Sequence, residues 1–181
     1  MYADQAALHV TRQDSVAAEE AAAFHFASGT VPASALTYAP ASVVTVGDAT
    51  FVFVSGHTGV AADTMVGHAS SGRDLAQAVS RQTAVILAKI QSVLHSLGGT
   101  MHDIVRVRVY VRPPLTKDVF EAIHEARREY FTEARKPAST LVRVDALVRP
   151  DALIEIEADA IITTASGRNS SAPQVTNAHD Q

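Results

Sequence analysis

The sequence predicts an α+β domain in which two helices lie on one face of a single sheet, in the order ββαβαββ. Three observations lead there. Along the middle of the chain the apolar period switches cleanly between two and 3.6 residues. Residues 104–112 alternate strictly between aliphatic and polar side chains and stop at Pro113-Pro114. Two stretches carry apolar residues at helical spacing, and each is closed by residues that cannot continue a helix, Gly98-Gly99 and Pro137. Strands that flank and separate two helices in this way argue for helices packed on one sheet.

Residues 1–35 read as an alanine-rich extension. Its stretch AAEEAAAFHF is expected to be helical, capped by Asp14 or Ser15, before Gly29 and Pro32 break the pattern. The core domain spans residues 36–164. Residues 42–46 and 51–55 are β-rich and join across Gly47-Asp48, a hairpin turn. From 72 to 97, Leu75, Val79, Ile86, Ile90, Val93 and Leu97 recur at helical spacing. Residues 116–135 form a second amphipathic helix carrying Val119, Phe120, Ile123 and Tyr130-Phe131. Strands over 139–147 and 153–162 follow, around a turn at Arg149-Pro150-Asp151. Residues 165–181 are polar and rich in Ser and Asn, the composition of a disordered tail.

Composition narrows the function. The chain has 181 residues, 47% of them hydrophobic, which suits one core and leaves little room for a second. A net charge of −4 gives no broad basic footprint for nucleic acid. Without cysteine there is no disulfide framework, thiol nucleophile or thiolate metal site. No apolar run approaches the ~20 residues that cross a bilayer, and the N-terminus lacks the pattern of a signal peptide. Apart from His57, the histidines show no ligand spacing with carboxylates, and no metal is expected. No glycine loop opens a helix to cradle a phosphate, and no cofactor is expected. These features point to a cytoplasmic protein acting on a small molecule, with neither nucleic acid nor membrane as partner.

Alternation sorts the strands into two faces. Val52, Val54, Val105, Val107, Val109, Val111, Val142, Val144, Ile154 and Ile156 make an aliphatic face for the helices. The other face collects Phe53, Ser55, His57, Arg106, Arg108, Tyr110, Ser139, Leu141, Arg143, Asp145, Glu155, Glu157 and Asp159. That mixed set reads either as a solvated face with cross-strand ion pairs or as a wet oligomer interface lined with a ligand site.

Four motifs stand in series: Phe53-Val54-Ser55-Gly56-His57, then the run from Gly99 to Val105, then Pro137-Ala138-Ser139-Thr140, then the run from Leu153 to Ala158. The series resembles the Rid family of reactive intermediate deaminases, also called the YjgF type, from about Tyr38 to Ile162. The resemblance implies a chorismate-mutase-like fold assembled as a homotrimer, three sheets closing a barrel with the helices outside. It also implies ligand sites in the clefts between subunits and hydrolysis of small enamines or imines to a keto compound and ammonia.

Carried over residue by residue, the resemblance makes Glu155 the group that orients the hydrolytic water. It sets Ser55 and Gly56 beside the ligand and Tyr38 over the cleft. Family members of the founding type carry an arginine after Pro-Ala that clamps the substrate carboxylate, and here that position is Ser139. Arg108 and Arg143, expected on the same face as Ser139, are the cations available to replace it; their plain structural reading is ion pairing with Glu155, Glu157 or Asp159. His57, expected on the face of Ser55, offers a general acid/base partner for Glu155, or else a satisfied histidine at a strand end. Two alternatives to the hydrolase stand: a non-catalytic small-ligand-binding trimer, and different acid/base chemistry on the same scaffold.

Overall fold

The computed structural model describes residues 10–14, 23–26, 29–32, 37–61, 64–67 and 72–163. Its architecture is α+β, as the periodicity predicts. Two helices, α1 (Gly72–Ser96) and α2 (Lys117–Arg128), cover one face of a mixed six-stranded sheet. In chain order the strands are β1 (Val10–Asp14), β2 (Ala23–Phe26), β3 (Gly29–Pro32), β4 (Ala41–Val46), β5 (Ala49–Thr58), β6 (Val60–Ala61), β7 (Thr64–Met65), β8 (Ile104–Val111), β9 (Ala138–Arg143) and β10 (Ile154–Thr163). The main sheet runs β1-β4-β5-β10-β8-β9, while β2-β3 and β6-β7 are separate hairpins. Among the described strands only the β8–β9 pair is parallel, because α2 carries the chain back between them.

Local chemistry explains the element ends. Gly47 turns the β4–β5 hairpin at φ +60°, a left-handed conformation that glycine adopts without strain. Gly98, at φ +78°, stops α1, and the Gly99 N–H then donates to the Leu94 carbonyl at 2.8 Å. Thr100 and Asp103 form a reciprocal capping box around the short 3₁₀ turn Met101–Asp103 that feeds β8. Thr116 caps α2 by accepting from the Val119 N–H. Between the helices and the sheet lies one continuous aliphatic core, in which Val52, Val79, Ile86, Ile90, Val107, Val109, Ile123, Ile154 and Ile156 are fully buried.

Several expectations are corrected. The extension forms strands where it is described. Ala23–Phe26, expected to be helical, pairs with Gly29–Pro32, so Gly29 and Pro32 sit inside a hairpin. Aromatic-rich Phe24-His25-Phe26 takes up strand pairing because a partner follows within reach. Val10–Asp14 joins the main sheet against β4. The rest of the expected helix (residues 17–22) and the tail 165–181 lie outside the described residues. Helix α2 ends at Arg128 rather than 135: the Tyr130 and Phe131 N–H groups both fold back onto the Arg127 carbonyl, and the Phe131 ring is buried. Phe120 is exposed instead of facing the core.

The two faces also differ from strict alternation at three places. Between β5 and β10 the register shifts, Ile156 opposing His57 and Ala158 opposing Val54, so three steps on β5 match two on β10. That bulge turns His57 to the helix side with Val54, where it is 4% exposed. Between β8 and β10 a second shift makes Val105 the extra residue and leaves it exposed. On β9 the parallel register puts Ser139, Leu141 and Arg143 opposite Val107, Val109 and Val111, on the helix side, and puts Val142 opposite Tyr110. Leu141, not Val142, packs against the core. A change of parity moves every side chain of a strand to the other face.

Candidate active site

The helix-free face of the sheet is where β5, β10 and β8 bring polar groups together. Central β10 places Glu155, Glu157 and Asp159 there at period two, opposite Tyr110, Arg108 and Arg106 of β8. Arg108 donates to Glu157 at 3.0 Å and to Asp159 at 2.9 Å, and the Tyr110 hydroxyl donates to the same Glu157 oxygen at 3.2 Å. The hydrogen bond to Asp159 comes first among the causes that hold Arg108 charged. Arg108 therefore sits in a cross-strand ion-pair network, the plain one of the two readings its sequence position allows.

Glu155 stands apart from that network. It is half-buried beside Gly56, and the fit is close: a Cβ on Gly56 would lie 2.1 Å from Glu155 Oε1. Glycine at this position is what admits the carboxyl group. Burial, and then the charge of Glu157, raise the Glu155 pKa above the ordinary carboxylate value. The result is a carboxyl that gives up its proton less readily than an ordinary glutamate, on a face otherwise open to solvent.

Ser55 borders this position but is tied into the scaffold. Its hydroxyl donates to the Ala39 carbonyl at 2.6 Å, and its N–H donates to the Pro40 carbonyl at 2.9 Å. These bonds hold the segment entering β4, and the exposed Tyr38 with it, against β5. The structure thus brings Ser55, Gly56 and Glu155 together at the bulged end of β5, with the exposed Tyr38 next in the chain to the Ala39 that Ser55 holds.

His57, Ser139 and Arg143 are not part of that group. His57 faces α1, where burial and then the Lys89 charge lower its pKa to about 4. The pairing with Glu155 expected from alternation is not formed, because the bulge sends the two side chains to opposite faces. Ser139 lies at the edge strand on the helix side, and its hydroxyl accepts from Arg127 Nη1 at 3.1 Å. Arg143 shares that side and is exposed. Arg127, which the sequence reading passed over, is the side chain that meets Ser139. The available signal was an arginine four residues after Ile123, itself four after Val119, which places a cation on the buried stripe of α2.

Among the described residues no cluster of three or more His, Asp or Glu is arranged to hold a metal ion, and no helix is long and apolar enough to cross a membrane. Two helices on one mixed sheet, with a glycine-cradled carboxyl on the bare face, define a small α+β protein built around that carboxyl. The family model described as Endoribonuclease L-PSP matches residues 28–162, well over half of the chain, and the chain belongs to that family, which includes the YjgF, RutC and Rid proteins. A RutC family protein of Pyrococcus abyssi is 33% identical over 112 residues, covering 61% of this chain and 77% of that one. The 3-aminoacrylate deaminase RutC of Acinetobacter baylyi is 39% identical over 75 residues, 41% of this chain and 56% of that one. The crystal structure of Rv2704 from Mycobacterium tuberculosis, a member of the YjgF/YER057c/UK114 family, superposes with a TM-score of 0.52 at 31% identity. That match covers 71% of this chain and 90% of the other.

Proposed function

We propose that this protein is a cytoplasmic enamine/imine hydrolase acting on a small reactive metabolite, with water oriented by Glu155. One observation carries the reading: a carboxyl group of raised proton affinity, half-buried, on a face otherwise open to solvent and seated where only glycine leaves room for it. The deaminase name of the Acinetobacter relative supports the reaction class. In the reaction a proton is delivered to the enamine carbon, giving an iminium ion, the protonated imine. Water adds to the imine carbon while the Glu155 carboxylate takes up one of its protons. The resulting carbinolamine expels its nitrogen, protonated as it leaves, so enamine plus water becomes carbonyl compound plus ammonia. Burial and the neighbouring Glu157 raise the Glu155 pKa, which makes its carboxylate a stronger base than an ordinary glutamate.

The working form in this reading is a homotrimer with the substrate in an inter-subunit cleft. Phe53 and Val142 are large apolar side chains exposed on the helix-free face, and pairing with other copies would cover them. Size-exclusion chromatography with light scattering checks the assembly: a monomeric mass overturns this part.

The test of the reaction is ammonia release from 2-aminoacrylate generated in situ. The native protein should accelerate it and Glu155→Gln should be slower by on the order of 10²–10⁴-fold; full activity in Glu155→Gln removes the mechanism. Ser139 favours a second reading, a ligand-binding trimer without turnover, since a serine brings no charge of its own to a carboxylate. Saturable binding with no ammonia release from any enamine or imine would select it.

A further inference from the structure

We infer that Gln82 and Arg112 are positioning residues for Glu155, acting through the backbone that enters β10; the inference rests on the reading of Glu155 as the group that orients water. Gln82 lies on α1, across the sheet from Glu155, and is fully buried. Its Nε2 donates to the Gly67 carbonyl at 3.1 Å and to the Asp151 carbonyl at 3.4 Å, and its Oε1 accepts from the Leu153 N–H at 2.8 Å. Arg112, the residue after β8, grips the same segment from the neighbouring strand. Its N–H donates to the Leu153 carbonyl at 2.9 Å and its Nε to the Ala152 carbonyl at 2.7 Å. The backbone of residues 151–153 is thus held from both sides, and Glu155 follows Leu153 by two positions.

The clamp sits where pairing between β10 and β5 is least regular. β10 begins at Ile154, and its register with β5 breaks between Ile156 and Ala158. Between that break and the start of the strand, Glu155 is opposed by Thr58 and Ile156 by His57. Gln82 also bounds the chain just beyond β5: a Cβ on Gly59 would stand 2.6 Å from Gln82 Cβ and Cγ. One side chain therefore fixes the entry of β10 against the exit of β5, the two strands that form the niche of Gly56 and Glu155. A buried amide in an aliphatic core is costly unless its donors and acceptor are used. Here its hydrogen bonds go to irregular backbone at the niche end of the sheet. The niche has little slack, since a Cβ on Gly56 would lie 2.1 Å from Glu155 Oε1, so a small shift of β10 changes what surrounds the carboxyl. Both residues act on where that carboxyl sits, not on the substrate.

The experiment reads Glu155 itself. The full chain is isotopically labelled at the glutamate carboxyl carbon and titrated by NMR, the Glu155 signal being assigned by its loss in Glu155→Gln. Gln82→Leu removes the amide, and Arg112→Lys keeps the positive charge but loses the Nε donor. In each variant the Glu155 titration midpoint should fall toward the ordinary carboxylate value, because a carboxyl released from its niche is better solvated. Glu157 on β10 and Tyr110 on β8, the titratable groups facing Glu155, are unchanged throughout. Ile90→Val, a core change elsewhere on α1, should leave the midpoint where it is. With an enamine that the native protein hydrolyses, kcat should drop by on the order of 10–100-fold in Gln82→Leu while KM stays within about twofold. A Glu155 midpoint unmoved in Gln82→Leu overturns the inference. So does an equal shift in Ile90→Val, which would mark a general loosening of the fold. If Gln82→Leu fails to fold, Arg112→Lys decides alone: the same fall supports the clamp and a native midpoint overturns it. A native protein that releases no ammonia, or a variant with a fallen midpoint and full kcat, refutes the role of Glu155 in hydrolysis and leaves the clamp standing.

Discussion

Replacing Gly56 by alanine separates activity from stability in a way the geometry specifies. The added Cβ would stand 2.1 Å from Glu155 Oε1, 3.0 Å from Cδ and 3.2 Å from Cγ. To regain ordinary contact the carboxyl must withdraw by about 1.3 Å, from 2.1 to 3.4 Å. The displaced atoms are the far end of a flexible side chain, so the clash is relieved by rotation instead of by moving backbone. Alanine also restricts the unfolded chain more than glycine does, which offsets part of the cost. The net change in stability should be about 1 kcal/mol or less. A misplacement of about 1 Å in a reacting group costs roughly 10²-fold in rate. Gly59→Ala is the control: its Cβ would lie 2.6 Å from Gln82 Cβ and 2.8 Å from Gln82 Cα, in the body of α1. No rotation relieves that clash, and the loss should be about 3 kcal/mol. Urea denaturation measures stability, and single-turnover hydrolysis of an enamine measures activity. Gly56→Ala with full activity refutes the role given to the Glu155 position. Gly56→Ala as unstable as Gly59→Ala refutes the account of how the clash is relieved.

Three further outcomes are expected. The buried Gln82 side chain donates to the Gly67 carbonyl and accepts from the Leu153 N–H at 2.8 Å, stapling α1 to the entry of β10. Gln82→Leu leaves that N–H unpaired and should lower stability by about 1–3 kcal/mol in urea titration. His57, with its pKa lowered from 6.5 to about 4, binds fewer protons folded than unfolded across that window. Stability should therefore fall as pH drops from 6.5 toward 4, by up to about 3 kcal/mol, with the loss reduced in His57→Gln. Glu155 has the opposite sign of slope. Its raised pKa means that the folded state holds the proton more tightly, so stability declines as pH rises from the ordinary carboxylate value through the raised one. Denaturation at several pH values shows a shallower decline for Glu155→Gln.

The comparison of residues shows where local pattern stops being informative. The positions of α1, α2, β4, β5, β8 and β10 were legible because their apolar spacing, caps and breakers act within a few residues: Gly98 ends a helix wherever that helix packs. So was the inward set Val52, Val54, Val107, Val109, Val111, Ile154 and Ile156, because alternation holds along an unbroken strand. Glu155 and Gly56 were legible as motif residues, although their contact was not. Which face His57 occupies depends on a bulge formed by the pairing of β5 with β10; Gly56 inside the strand permits a bulge but does not fix its register. Whether β9 turns Leu141 or Val142 inward was settled by parallel pairing with β8 after α2, since both parities offered an aliphatic side chain. Pairing also drew Ala23–Phe26 into a strand against a local helical preference, and added Val10–Asp14 to the main sheet. That Arg127 has no carboxylate within ion-pair distance among the described residues is likewise a tertiary fact. One arginine in a helix carries no record of which carboxylates the fold will leave beyond its reach. By itself the sequence determined the elements and the chemistry they carry; the tertiary structure decided which side chains share a face, because parity and pairing are set between segments and not within them.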